Sequence, residues 1–175
     1  ELSLRRKNDE RNILLPYRLG FKDGKPILPK GVLGGQKLYA TLQSLLLPNR
    51  AIDNFDQMAI PFRAVATNIV NGHAVVLGSG DISVAMRASM AVPGAFSPVV
   101  IGDKVLSDGG MMRNLPVDIA RDLCAEVVIA VSLASPPPKA EDLKGALTLA
   151  GRSLDVMIEA NQKAQIASLT GQDVS

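Results

Sequence analysis

The sequence predicts an α/β domain, and three observations carry that prediction. Two pairs of β-rich segments are each joined by a two-residue turn, Asn71-Gly72 and Gly102-Asp103. Segments with apolar residues at helical spacing lie before, between and after these hairpins. An unbroken apolar run, Val127-Val128-Ile129-Ala130-Val131, then fits a strand buried on both faces, as in a parallel sheet. Strands and helices that alternate in this way build an α/β layer architecture.

Residues 1–33 read as a loop-rich leading segment, because Pro16, Pro26, Pro29 and several glycines break any regular pattern. From Gly34-Gly35 to Leu47 the pattern is helical, with Leu38, Leu42, Leu45 and Leu46 on one face and Pro48 just past the end. Phe62 to Val70 and His73 to Leu77 form the first hairpin. Asp81 is a good N-cap for a helix running to about Ala91, closed by Pro93-Gly94. Pro98 to Ile101 and Lys104 to Ser107 form the second hairpin. Pro116 suits the first turn of a helix reaching Cys124, with Asn114 placed to cap it. After Pro136-Pro137-Pro138, a long helix is expected from about Ala140 to Leu169, with an apolar stripe of Leu143, Leu147, Leu154, Met157 and Ile158. Residues 34–135 are thus read as the α/β core and 139–170 as a long helix, all within one domain. There is no internal repeat.

Composition excludes several functions. The 175 residues are one domain's worth, and a domain of that size buries roughly 70% of its unfolded surface. Nineteen Lys and Arg against seventeen Asp and Glu leave a net +2, too balanced for nucleic acid as the main partner. With no Trp, two Tyr and four Phe, stacking platforms for single strands are scarce as well. One Cys and one His exclude a disulfide framework and a metal site built mainly from thiolates and imidazoles. Residues 1–30 hold eight Lys/Arg and four Asp/Glu, so this segment carries +4 and the remainder −2. Its stretch Arg5-Arg6-Lys7 with Arg11 has the charge for peripheral contact with anionic lipid; a solvated leading segment is the alternative. No apolar run reaches the 18 or so residues of a membrane-spanning helix.

Ser107-Asp108-Gly109-Gly110, at the end of a predicted strand, is where chemistry is expected. Two glycines after an aspartate leave the backbone free to turn with φ > 0 and keep bulky side chains away from the carboxylate. That suits a catalytic carboxylate at the rim of a sheet, and it equally suits an ordinary turn. Arg87-Ala88-Ser89, Pro93-Gly94 and Phe96-Ser97-Pro98 precede it, and Asn114-Leu115-Pro116 follows. Ala64 to Thr67 stands before the first hairpin and Val127 to Ser132 after the Asn-x-Pro helix.

This ordered set resembles the C-terminal part of the catalytic domain of the patatin-like phospholipases, over roughly residues 1–170. The resemblance implies a three-layer patatin-like fold, similar to cytosolic phospholipase A2 and incomplete in this chain. It implies a Ser-Asp dyad that hydrolyses phospholipid or lysophospholipid esters without histidine, metal or organic cofactor, with Asp108 as the dyad base. The family's Gly-x-Ser-x-Gly serine and glycine-rich oxyanion loop are absent from these residues, and Gly78-Ser79-Gly80 lacks the required spacing. The chain begins at Glu1 rather than Met, and is read as a piece of a longer protein, inactive alone. On that reading it is expected to associate with itself or with the missing part, because strand edges and apolar surface would otherwise be bare. A non-catalytic α/β module that binds lipid or protein is the alternative. The basic leading segment and long last helix look like bacterial members, some of them joined to an outer-membrane barrel, which leaves the compartment open between cytoplasm and export.

Other residues take plainer readings. His73 is a solvated turn residue, Ser89 a small packing residue, and Cys124 a buried, inert thiol. Arg87 caps neighbouring carbonyls or binds a phosphate. Asn68 stands where many members of the family carry Asp, and is read as structural. Asp118, Asp122 and Asp155 are read as solvated helix faces.

Overall fold

The structure is a computed structural model that describes residues 20–22, 25–27, 35–133, 136–169 and 173. Arg5-Arg6-Lys7 and Arg11 therefore lie outside the described residues. Within the leading segment the chain forms a short antiparallel pair rather than loop alone: β1 (Gly20–Lys22) runs against β2 (Lys25–Ile27), with Lys22 opposite Lys25.

The centre is a four-stranded antiparallel sheet of β3 (Ala64–Asn68), β4 (His73–Leu77), β5 (Val99–Ile101) and β6 (Lys104–Asp108), in the order β4-β3-β6-β5. Both expected hairpins form. The second closes with the expected two residues, Ile101 pairing with Lys104 and Gly102 at φ 60°. The first closes differently, because Asn68 pairs with His73 and four residues lie between. The Asn68 side chain accepts from the Val70 N–H (3.1 Å), which turns the chain before Asn71-Gly72 is reached. Asn68 is buried, in keeping with a structural role.

Helix α1 (Gln36–Leu45) begins at Gly35, whose φ of 68° only glycine adopts easily. Of its expected apolar face only Leu42 is buried, while Leu45 is 71% exposed. Helix α2 (Ile82–Ser89) starts at Asp81 as predicted, the carboxylate accepting from the Ser83 (2.7 Å) and Val84 (3.2 Å) N–H groups. Small residues let α2 lie close on the sheet: Ala64, Ile82 and Ala85 pack with Phe55, and Ala66 and Ala88 pack with Leu106. Strand β3 is buried along its whole length.

Short helices α3 (Gly110–Arg113) and α4 (Val117–Asp122) follow β6. Asn114 does not cap α4; its amide is turned toward the last helix instead. The chain leaves α4 through Cys124 at φ 63°, a left-handed C-terminal turn that puts this thiol on the surface, not in the core as expected.

The run 127–131 is not a doubly buried strand. Val128 and Ala130 are buried with Leu115 and Val117, but Val127, Ile129 and Val131 are exposed, and the run is not part of the four-stranded sheet. Alternation of this kind means that one side of the segment is covered. Asp173 fastens it, accepting from the Val128 N–H (2.8 Å) and from Arg121.

Helix α5 (Ala146–Ile166) is shorter than expected, residues 140–142 being a separate single turn. Its apolar stripe is only partly used, and Met157 is 66% exposed. The side that meets the domain is centred on Asn161 and Gln162. No helix among the described residues is long and apolar enough to cross a membrane.

Leu106 is fully buried where β6 meets α2. Truncating it leaves a cavity under the strand that ends in Asp108, and Leu106→Ala is expected to lower stability by about 2–5 kcal/mol in denaturant unfolding. A loss below about 1 kcal/mol, within the range of a surface substitution, would show that β6 is not anchored there.

Candidate active site

Asp108 is the last residue of β6, and neighbouring elements fix its backbone on every side. It pairs with Ala66 of β3. Its N–H donates to the Ala91 carbonyl (3.0 Å), and its own carbonyl accepts from the Thr67 hydroxyl (2.8 Å). The Ser107 hydroxyl donates to that same Ala91 carbonyl (2.6 Å), and the Gly109 N–H to the Ser89 carbonyl (3.3 Å). The C-terminal end of α2 and the residues after it are therefore stitched to the aspartate turn by two backbone N–H groups and the Ser107 hydroxyl.

The glycines are required, though not by φ. Gly109 is in the ordinary right-handed region at φ −67°, and neither Gly109 nor Gly110 has a positive φ. What excludes a side chain is space. A Cβ on Gly109 would stand 2.1 Å from the Val65 carbonyl oxygen. One on Gly110 would stand 2.8 Å from Asp108 Oδ1 and 2.9 Å from Asn114 Oδ1. The expectation of a left-handed turn is thus corrected, while the expectation of a carboxylate kept clear of bulk stands.

The Asp108 side chain is half-buried and lines a cavity of about 330 Å³ with Phe62, Arg63, Met86, Ser89, Met90 and Arg113. The Gly110 N–H donates to Oδ1 (2.7 Å). No ion pair to Asp108 occurs among the described residues. Burial raises its pKa above the ordinary carboxylate value, and the Gly110 hydrogen bond opposes this only in part. The carbonyl end of α2 beside it acts in the same direction as burial, since the negative end of a helix disfavours an anion.

The structure brings Ser89 to the same cavity as Asp108, with its carbonyl engaged by Gly109. No hydrogen bond joins the Ser89 hydroxyl to the carboxylate, and Ser89 ends a helix instead of standing on a strand-to-helix elbow. His73 is exposed on β4 and does not line the cavity. Arg87, 7% exposed, donates to the Ser97 carbonyl (2.9 Å) and lies over the Phe96 ring, 5.1 Å from its centroid. It also packs on Gly35, where a Cβ would meet Nη2 at 2.4 Å. That is the carbonyl-capping use. Asp118 is not simply solvated, because Arg113 Nε donates to it (2.9 Å); Asp122 and Asp155 are exposed.

Sequence reasoning missed Asn161 and Gln162. The Asn161 amide donates to the Met112 carbonyl, and Gln162 accepts from Asn114 (2.7 Å). Two adjacent amides on an otherwise Leu- and Ala-rich helix were the available signal. Among the described residues no group of three or more His, Cys, Asp or Glu side chains is placed to hold a metal ion.

A carboxylate whose folded pKa is raised binds its proton more tightly in the folded state than in the unfolded one. Stability therefore falls as pH rises from the unfolded pKa through the folded one, and the penalty is complete above the latter. Asp108→Asn removes the charge and keeps an oxygen for the Gly110 N–H. The variant is expected to be more stable than the parent sequence near pH 7, with the difference vanishing below about pH 4, where both states of the aspartate are protonated. Denaturant midpoints at the two pH values measure this; a gain of equal size at both would assign it to something other than the carboxylate charge.

The family model for patatin-like phospholipase matches residues 2–121, more than half of the chain. An NTE family protein of Mycobacterium tuberculosis is 33% identical over 103 residues, 59% of this chain and 28% of the relative. A second NTE family protein of that organism is 36% identical over 75 residues, 41% of this chain and 12% of the relative. Mouse patatin-like phospholipase domain-containing protein 7 is 34% identical over 82 residues, 46% of this chain and 6% of its own length. The chain thus spans well under a third of the curated relatives it matches, and the stretch shared with the family contains the sheet, the α2 cap and the Asp-Gly-Gly turn. It belongs to the patatin-like phospholipase family.

Proposed function

We propose that this chain contributes the general base, Asp108, of a serine lipid acyl hydrolase acting on phospholipid or lysophospholipid esters. The observation that carries the reading is a half-buried carboxylate at a strand end. It lines a cavity, has one oxygen held by a backbone N–H, and has no cation paired to it among the described residues. Burial makes such a carboxylate more basic, which is what removal of a serine proton requires. Asp108 would take the Oγ proton as Oγ attacks the ester carbonyl carbon, and pass it to the departing alcohol oxygen as the tetrahedral intermediate collapses. In the second half-reaction it would take a proton from water, which attacks the acyl-serine, and return that proton to Oγ. The serine and the N–H donors for the oxyanion would come from outside these 175 residues, since no Gly-x-Ser-x-Gly occurs within them.

The test uses a protein that joins this chain to its serine-bearing part, assayed for phospholipid and lysophospholipid hydrolysis and for labelling by a fluorophosphonate. Asp108→Asn is expected to lower kcat by about 10²–10⁴-fold, the range for loss of a general base, and to abolish rapid labelling. Retained hydrolysis in that variant would remove Asp108 from the mechanism. Labelling of the 175-residue chain alone would place the nucleophile within it. No hydrolysis or labelling by the joined protein would favour the non-catalytic binding module.

The same reading implies association. Val127, Ile129, Val131 and Leu133 are exposed together along one segment, an apolar stretch that a partner surface would cover. The chain is expected to elute above monomer size in dilute solution or to bind the complementary part. A monodisperse monomer that ignores that part would count against it.

A further inference from the structure

The geometry points to Asn114 and Gln162 as a coupled pair of positioning residues that hold the Asp108 turn in its working shape. This rests on the reading of Asp108 as the base. Space over the Gly110 Cα is bounded by two oxygens, Asp108 Oδ1 and Asn114 Oδ1. Gly110 also supplies the N–H that fixes Asp108 Oδ1. Asn114 therefore borders the residue whose N–H holds the carboxylate, and its rotation would change the space beside that residue. Gln162 prevents that rotation by accepting from Asn114 Nδ2 at 2.7 Å, and its own Nε2 donates to the Ser132 hydroxyl. Donors and acceptors run in one direction along Ser132, Gln162 and Asn114, so each amide fixes the orientation of the next.

Helix α5 is built for this contact. Gln162 is only 7% exposed, and a buried amide costs free energy unless its bonds are made. Its neighbour Asn161 donates to the Met112 carbonyl in α3, the helix that begins two residues after Asp108. Two consecutive amides thus grip both sides of the Arg113 bend. A helix that served only to cover the core would present apolar residues here, and α5 has Ile158 and Leu154, one and two turns away, left half-buried. Both amides lie beyond residues 2–121, the part that matches the family model. The site of the proposed dyad base therefore includes a helix outside that match.

The experiment is a double-mutant cycle in the joined protein described above, with melting temperature, kcat and KM read for each variant. Gln162→Leu and Asn114→Ala are each expected to lower kcat about tenfold with KM changed less than about twofold, because a misplaced base loses transition-state stabilisation and not substrate binding. Gln162→Glu keeps the acceptor for Asn114 and is expected to retain at least about half of kcat. The double variant is expected to be no slower than the slower single one, the signature of two residues acting as one device. Asn114 is exposed, so Asn114→Ala carries the test where Gln162→Leu fails to fold. A lower melting temperature with kcat unchanged would overturn the proposal, as would losses that simply multiply. Asp108→Asn runs beside these: activity retained there would defeat the base assignment itself, whereas its loss with Gln162→Leu and Asn114→Ala fully active would defeat the positioning pair alone.

Discussion

The close approach of Gly109 to the Val65 carbonyl governs how the rest of the structure is arranged. With 2.1 Å between that oxygen and any Cβ at position 109, no other residue fits without moving β3. Moving β3 is costly, because its five residues are all buried and it pairs with strands on both sides. The turn after β6 is therefore pinned by the centre of the sheet. The carboxylate one residue earlier inherits that rigidity through the Ala66–Asp108 pairing and the Thr67 hydroxyl. A carboxylate held at a strand end by backbone contacts needs little further ordering, which supports the role proposed for Asp108.

The second consequence concerns charge. The same packing that pins the turn removes water from Asp108 and brings the carbonyl end of α2 against it. Both disfavour the anion, and among the described residues the Gly110 N–H favours it. A site arranged for stability would supply a cation or more donors. Here the carboxylate is left basic, and the cost falls on the folded state as a pH-dependent penalty. Burial disfavours the charged form of Arg87 as well and lowers its pKa. Its partners are a carbonyl and an aromatic ring, so it acts as a brace between Gly35, Phe96 and Ser97.

Legibility from the sequence varied with the range of the interaction. The Asp81 cap, the Gly102-Asp103 turn and the strands that form each hairpin depend on residues a few positions apart and could be read directly. The first hairpin nevertheless closes with four residues and not two. The pairing of β1 with β2 departs from the loop expected over residues 1–33. The run 127–131 misled because apolar residues on both sides of a strand say nothing about whether a second layer is present to cover both. Cys124 misled because its backbone takes the left-handed turn that ends α4, a conformation unusual for cysteine.

By itself the sequence determined the α/β class, the place of the hairpins and the position of Asp108 at a strand end followed by two small residues. These follow from local periodicity, turn chemistry and an ordered motif set. Only the tertiary structure decided why position 109 must be glycine, which is the Val65 carbonyl across the sheet and not a positive φ. It alone brought Gln162 to Asn114, forty-eight positions apart, and turned Asn114 away from the cap that its place in the sequence suggested. A hydrogen bond across that separation leaves no periodic trace in the chain, because its geometry exists only once the sheet has placed α3 against α5.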